Sequence, residues 1–158
     1  MDNSVQDIYG NRVRVRVCGI CQKGDSLLMV NHAGLGPDSF WAPPGGGVEL
    51  GMSYEENLLR EFKEETGLEI EPGAFLFATE FVRLPLHAIE LFFAVTIKGG
   101  SPIKGIDPEM AGTNQIIKEV RFMTFREIDA LPERARHGAF RLVDGSAGIV
   151  TMNGYFRI

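Results

Sequence analysis

Arginine and valine alternate strictly over residues 12–17, the period of two that marks a strand with one buried face, here Val13, Val15 and Val17. Gly24-Asp25 then supplies a turn into the apolar run Leu27-Leu28-Met29-Val30, so the two stretches predict a β-hairpin. Residues 34–39 read as loop. Phe40-Trp41-Ala42 reads as a short strand ending at Pro43-Pro44, and the prolines with Gly45, Gly46 and Gly47 predict irregular chain through residue 47.

The period changes at Ser53. Ser53-Tyr54-Glu55-Glu56 is a capping box, with serine at the N-cap and glutamate at N3, and it opens a helix expected over Tyr54–Thr66 before Gly67 stops it. At about 100° per residue, Tyr54, Leu58, Leu59 and Phe62 form its apolar stripe. Glu56, Arg60 and Lys63 fall on the opposite, solvated side, where Glu56 and Glu64 are available to Arg60 as ion-pair partners. Residues 74–84 and 88–98, rich in apolar and β-branched side chains, predict two antiparallel strands joined at Pro85-Leu86-His87. A polar loop over 99–115, a strand over 116–124 and a second helix over 125–130 follow. The last residues, 149–158, predict a strand pair turning at Asn153-Gly154. Strands throughout, with one strong central helix and another late, make this an α/β chain with a mixed sheet.

Composition narrows the class. The chain has 158 residues, 44% hydrophobic and 23% charged, which suits one globular domain over residues 1–158. No apolar run approaches the roughly 20 residues of a membrane helix, and the N-terminus lacks the basic and apolar regions of a secretion signal. A cytoplasmic location, no membrane partner and a homodimer as one permitted assembly follow as expectations. A net charge of −5 argues against broad nucleic-acid binding, so an anionic ligand needs local help, most simply a metal. Cys18 and Cys21, three apart on a strand, point to opposite faces and read as structural cysteines.

Candidate chemistry concentrates in Arg60-Glu61-Phe62-Lys63-Glu64-Glu65-Thr66-Gly67. Carboxylates three and four apart on a helix repel, so their crowding asks for a cause. Placed around the helix, Glu65 points into the apolar stripe between Tyr54 and Leu58, with Glu61 at its edge. A buried carboxylate needs a compensating cation. A divalent metal held by hard oxygen ligands and a structural pair with a distant Arg or Lys both answer that need, and the first fits three carboxylates better.

The longer pattern is Gly46-x5-Met52-x7-Arg60-Glu61-Phe62-x-Glu64-Glu65-x-Gly67-Leu68. It resembles the Nudix box, G-x5-E-x7-R-E-U-x-E-E-x-G-U with U apolar, at every fixed position but one: Met52 stands where the first Glu is expected. Trp41-x-x-Pro44-Gly45-Gly46 and the strand order also look like that family. The resemblance implies an α/β/α sandwich and a Mg²⁺- or Mn²⁺-dependent hydrolase cleaving the diphosphate linkage of a small-molecule nucleotide, either a nucleoside diphosphate derivative or a nucleoside triphosphate. It implies Glu61, Glu64 and Glu65 as metal ligands, with Glu61 also a candidate base, Gly46 as a carbonyl ligand, and Arg60 as the residue that orients the glutamates. Glu49 and Glu55 are the carboxylates available to compensate for Met52. Glu109 or Glu119 would supply a further acid from outside the box. The competing reading is a Nudix-like nucleotide-binding or regulatory module whose catalysis Met52 has weakened.

Outside the box, Arg14 and Arg16 share a strand face that could contact phosphates. Trp41 and Phe40 could stack on a base, although core packing explains them better. His87 reads as a hydrogen-bonded structural residue. Pro85, 17 residues past Leu68, lies near a position where ADP-ribose-cleaving relatives carry proline, without their surrounding Ser-Pro-Gly.

Overall fold

The computed structural model describes residues 3–33, 39–103 and 117–158. Glu109 and most of the loops expected over 34–39 and 99–115 lie outside the described residues. In chain order the elements are α1 (Asn3–Tyr9), β1 (Arg12–Ile20), β2 (Gln22–Lys23), β3 (Ser26–His32), β4 (Phe40–Ala42), β5 (Gly45–Gly47), α2 (Tyr54–Thr66), β6 (Glu69–Arg83), β7 (Leu86–Gly99), β8 (Ile117–Thr124), α3 (Phe125–Asp129) and β9 (Gly154–Arg157). Three 3₁₀ turns lie between α3 and β9.

One sheet is mixed, in the order β5-β1-β7-β6-β9, with β1 parallel to β7 and β6 parallel to β9. In the other, β3 pairs antiparallel with β2, β4 and β8. Alternation along these strands feeds two hydrophobic clusters. Val17, Leu28 and Phe93 join Leu58 and Phe62 of α2 in one, while Cys18, Leu27, Met29 and Phe92 join Ile128, Phe140 and Ile149 in the other. Helices therefore cover strands on both sides, an α/β sandwich with a mixed sheet. Cys18 and Cys21 fall in different clusters, both buried and unbridged.

Helix α2 forms as its sequence predicts. Ser53 Oγ accepts from the Glu56 N–H at 3.2 Å, the Ser53 N–H donates to Glu56 at 2.7 Å, and Gly67 closes the helix in the left-handed conformation at φ 72°. Glu56 is thus committed to the cap rather than to Arg60. The fully buried Leu58 and Phe62 each contribute about 1.5–3 kcal/mol of hydrophobic stabilisation. Strand β1 runs directly beneath them, because a Cβ at Gly19 would collide with the Phe62 ring.

Several expectations are corrected. Of the β1 valines only Val17 is buried; Val13 is 56% exposed and Val15 is also open to solvent, because the two hydrophobic clusters take in β1 only from Val17 and Cys18 onward and the start of the strand runs past them. Leu59 and Tyr54 are exposed, and the buried arc of α2 is Asn57, Leu58, Glu61, Phe62, Glu65 and Thr66. Tyr54, in the first turn, stacks on Phe93 at 4.3 Å on the rim. Residues 45–47 are not irregular: β5 pairs antiparallel with β1 through Cys18↔Gly45, Val17↔Gly46 and Arg16↔Gly47. The C-terminal segment carries one strand, not a pair, since Ser146–Thr151 is a 3₁₀ turn and β9 adds in parallel to β6. The N-terminal helix α1 was not expected from the sequence.

Candidate metal and diphosphate site

The site lies where α2 crosses β5. Glu61 and Glu65 are 6% and 4% exposed, so two carboxylates face the protein, as their helical positions predict. Glu65 Oε2 accepts from the Gly45 N–H at 3.0 Å. A Cβ at Gly46 would overlap the Glu61 carboxylate, so glycine is what lets this strand and that side chain meet. Gly46→Ala is expected to displace Glu61 and lower stability by about 1–3 kcal/mol, measured by urea unfolding; wild-type stability in that variant would refute the close contact.

Arg60 does not face water. Its side chain is only 20% exposed and reaches back across the helix, because a long flexible arm is not confined to the direction its Cα sets. Nη2 pairs with Glu61 Oε1 at 2.9 Å and donates to Gly47 O and Asn57 Oδ1, each at 3.2 Å. Nη1 pairs with Glu64 Oε2 at 3.1 Å and Glu49 Oε1 at 3.4 Å. Burial disfavours the Arg60 charge, but Glu61, Glu64 and Glu49 outweigh it and raise its pKa.

Glu61, Glu64 and Glu65 offer hard oxygen donors of the kind that suits Mg²⁺ or Mn²⁺, and the space beside Gly46 that a Cβ would fill is taken by the Glu61 carboxylate. Among the described residues no three His, Cys, Asp or Glu side chains already stand together as a metal-binding group. In this arrangement Glu61 and Glu64 turn to Arg60, and Glu65 turns to Gly45.

A second polar cluster adjoins the first. Glu90, 3% exposed on β7, receives Arg16 Nη1 at 3.1 Å and Thr79 Oγ1 at 3.2 Å, and lies 2.6 Å from His137 Nε2. His137 Nδ1 accepts from the Ala139 N–H at 3.2 Å, which leaves Nε2 to donate to Glu90. Burial alone would raise the Glu90 pKa, but His137, Arg16 and Thr79 together bring it down to about 2. Burial, then the positive Arg16, push His32 down to about 3. Arg16 also donates to Gly45 O at 3.4 Å, so this cluster touches the residue whose N–H holds Glu65.

The remaining sequence candidates divide. Arg16 is brought to the site through Gly45. Arg14 instead lies 3.9 Å over the Tyr9 ring of α1. Trp41 is buried in a hydrophobic cluster with the Arg121 guanidinium 5.3 Å from its ring. Glu119 pairs with Arg121 Nε at 3.0 Å on β8, and His87 bonds Glu80 at 2.9 Å across the β6–β7 hairpin. Sequence reasoning missed Glu90, although a lone carboxylate in Ile89-Glu90-Leu91-Phe92-Phe93 was a signal. It missed Asn57 too, which shares the buried arc with Glu61. Nothing local marks His137.

Comparison with known proteins bears on the family and the fold. YjhB of Bacillus subtilis (strain 168) is 33% identical over 100 residues, 60% of this chain and 47% of YjhB. The ADP-ribose pyrophosphatase of Methanocaldococcus jannaschii is 31% identical over 99 residues, 61% of this chain and 59% of its own length. The matched region thus spans about half the length of these curated relatives. Among solved structures, a Nudix hydrolase from Nitrosomonas europaea superposes with a TM-score of 0.69 at 20% identity, covering 83% of this chain and 85% of that one, which shows the fold. The NUDIX domain description matches residues 10–144, and with the box, the α/β sandwich and the glutamate-bearing α2 in place, the chain belongs to the Nudix family.

Proposed function

We propose that the protein is a metal-dependent pyrophosphohydrolase that cleaves the diphosphate linkage of a nucleoside diphosphate derivative or nucleoside triphosphate by water attack at phosphorus. The observation that carries this reading is the pair of buried carboxylates, Glu61 and Glu65, brought against the glycine strand β5 at Gly46 and Gly45, with Glu64 beside them on Arg60. A Mg²⁺ or Mn²⁺ ion held by Glu61, Glu64, Glu65 and the Gly46 carbonyl would neutralise phosphate charge and make a water more acidic.

The protein's own groups do the rest. Arg60 keeps the Glu61 and Glu64 carboxylates oriented. Glu61 accepts the proton of the attacking water at a carboxylate oxygen. Gly45 fixes Glu65 through its N–H. One phosphorus–oxygen bond forms and the bridging one breaks, giving a monophosphate and the phosphorylated remainder of the substrate.

Relatives named as ADP-ribose pyrophosphatase and nucleoside triphosphatase NudI, from Enterobacter sp. (strain 638), frame the test. Product analysis over ADP-ribose, NADH, nucleoside triphosphates, dinucleoside polyphosphates and sugar nucleotides, with Mg²⁺ or Mn²⁺, should show turnover of at least one. Nucleotide binding without turnover across that panel would instead establish a binding or regulatory module.

A further inference from the structure

Position 52 carries a thioether in Met52, which cannot pair with a cation, at the start of the chain entering α2. Two carboxylates lie close by in sequence, Glu49 and Glu55, and the structure separates them. Glu55 accepts from the Tyr54 hydroxyl at 3.1 Å. Glu49 alone of the two reaches the site: its Oε1 stands 3.4 Å from Arg60 Nη1.

Glu49 is also fixed at its backbone. Its N–H donates to Asn57 Oδ1 at 3.0 Å, its carbonyl accepts from the Met52 N–H at 3.1 Å, and the same Asn57 Oδ1 accepts from Arg60 Nη2 at 3.2 Å. Asn57 is itself anchored by donating to Ser53 O at 2.6 Å. The Glu49 carboxylate and the amide of Asn57 therefore hold the same two guanidinium nitrogens that Glu64 and Glu61 engage. The Nε of Arg60 is buried without a partner, so the orientation of this side chain depends on its two terminal nitrogens.

We propose that Glu49 is a positioning residue that anchors Arg60, the carboxylate part that Met52 cannot play. The reasoning is competitive. Arg60 is held by Glu61, Glu64, Glu49, Asn57 and the Gly47 carbonyl. Any cation that draws on the Glu61 and Glu64 oxygens weakens two of those contacts at once, whereas Glu49, Asn57 and Gly47 are untouched. Glu49 supplies the charged one of the three. Without it Arg60 follows Glu61 and Glu64 toward the cation, or swings away from them, and the carboxylates lose their fixed orientation. This inference rests on the hydrolase reading above and names the residue that lets the site work with methionine at position 52.

The test compares wild type, Glu49→Gln, Met52→Glu and the double variant. Mn²⁺ affinity is read by electron paramagnetic resonance, kcat and KM on whichever nucleotide the wild type turns over, and thermal melting serves as a fold control. Glu49→Gln should weaken Mn²⁺ binding and lower kcat by about 10-fold, the low end of the effect of removing a group that orients a ligand because Glu49 acts through Arg60, with KM changed less. Adding Met52→Glu to it should recover most of both losses, a rescue that general stabilisation would not give. Glu49→Gln values within twofold of wild type, or a double variant no better than Glu49→Gln, overturn the proposal while leaving the hydrolase reading intact. A wild type that neither binds Mn²⁺ nor turns over any substrate overturns both.

Discussion

Glu65→Gln is expected to lower turnover on the order of 10²- to 10³-fold, the range seen when one group stabilising a transition-state charge is removed, while the protein stays folded. The substitution is nearly isosteric. The amide oxygen of glutamine still accepts from the Gly45 N–H that now donates to Glu65 Oε2 at 3.0 Å, so the strand β5 keeps its contact with α2. What disappears is a negative charge on a side chain that is 4% exposed. Three glutamates share a five-residue stretch with Arg60 as their adjacent cation, and like charges at helical spacing repel. The metal-free variant should therefore unfold within about 1 kcal/mol of wild type, as expected when a strained functional charge is relieved. Activity and denaturation measured on one preparation decide the matter. Wild-type turnover in Glu65→Gln would remove this carboxylate from the mechanism, and gross unfolding would show it to be structural.

Glu90→Gln should have the largest effect on stability, and the effect should depend on pH. Glu90 is a buried carboxylate with three donors, Arg16, Thr79 and His137. Removing one partner of a buried ion pair costs about 3–5 kcal/mol because the other is left uncompensated, here Arg16, whose pKa burial would lower and Glu90 keeps raised. For a chain of this size that corresponds to a drop in Tm of roughly 10 °C or more. Because the folded-state pKa of Glu90 is depressed, to about 2, its stabilisation is complete above the ordinary carboxylate pKa of about 4.5 and is lost as pH falls from there toward 2. His32 acts in the same direction. Its pKa is lowered to about 3, so folding keeps it neutral, and stability drains as pH falls below the ordinary histidine value of about 6.5.

Wild type should then lose stability in two overlapping stages on acidification, and Glu90→Gln should keep the first stage and lack the second. Urea midpoints collected between pH 7 and pH 3 test this. An acid slope below pH 4.5 equal to that of wild type would mean that Glu90 is not the buried, ionised hub of the cluster. Arg16 donates to Gly45 O, and Gly45 holds Glu65, so this cluster also braces the strand on which the proposed metal site rests.

Local pattern was enough for α2. Its cap, its length, its stop and the inward turn of Glu61 and Glu65 follow from spacing at 3.6 residues per turn and from the identities of Ser53 and Gly67, all of which are short-range. The separation of Cys18 and Cys21 into different cores likewise needed only their odd spacing along extended chain at the end of β1. The same local logic failed where the outcome depended on a distant partner. Val13 and Val15 carry the same alternation as Val17, but burial requires something to pack against, and the hydrophobic clusters take in β1 only from Val17 and Cys18 onward. Gly45, Gly46 and Gly47 read as irregular chain because they have no side chains to pattern, yet that lack is what allows β5 to pair with β1 and press against Glu61.

Arg60 shows the limit most plainly. Angle around the helix put it in solvent, while the tertiary structure folded its arm onto Glu61, Glu64, Glu49 and the Gly47 carbonyl. Glu90 and His137 lie 47 positions apart, and Glu90 and Arg16 lie 74 apart; no window of sequence contains either pair. The amino-acid order by itself thus determined the strand and helix periods, the box that marks the family and the crowding of carboxylates on one helix. Only the packed chain decided which long side chains turn inward, which valines are covered and which distant charges neutralise one another, because burial and charge compensation are properties of neighbours in space.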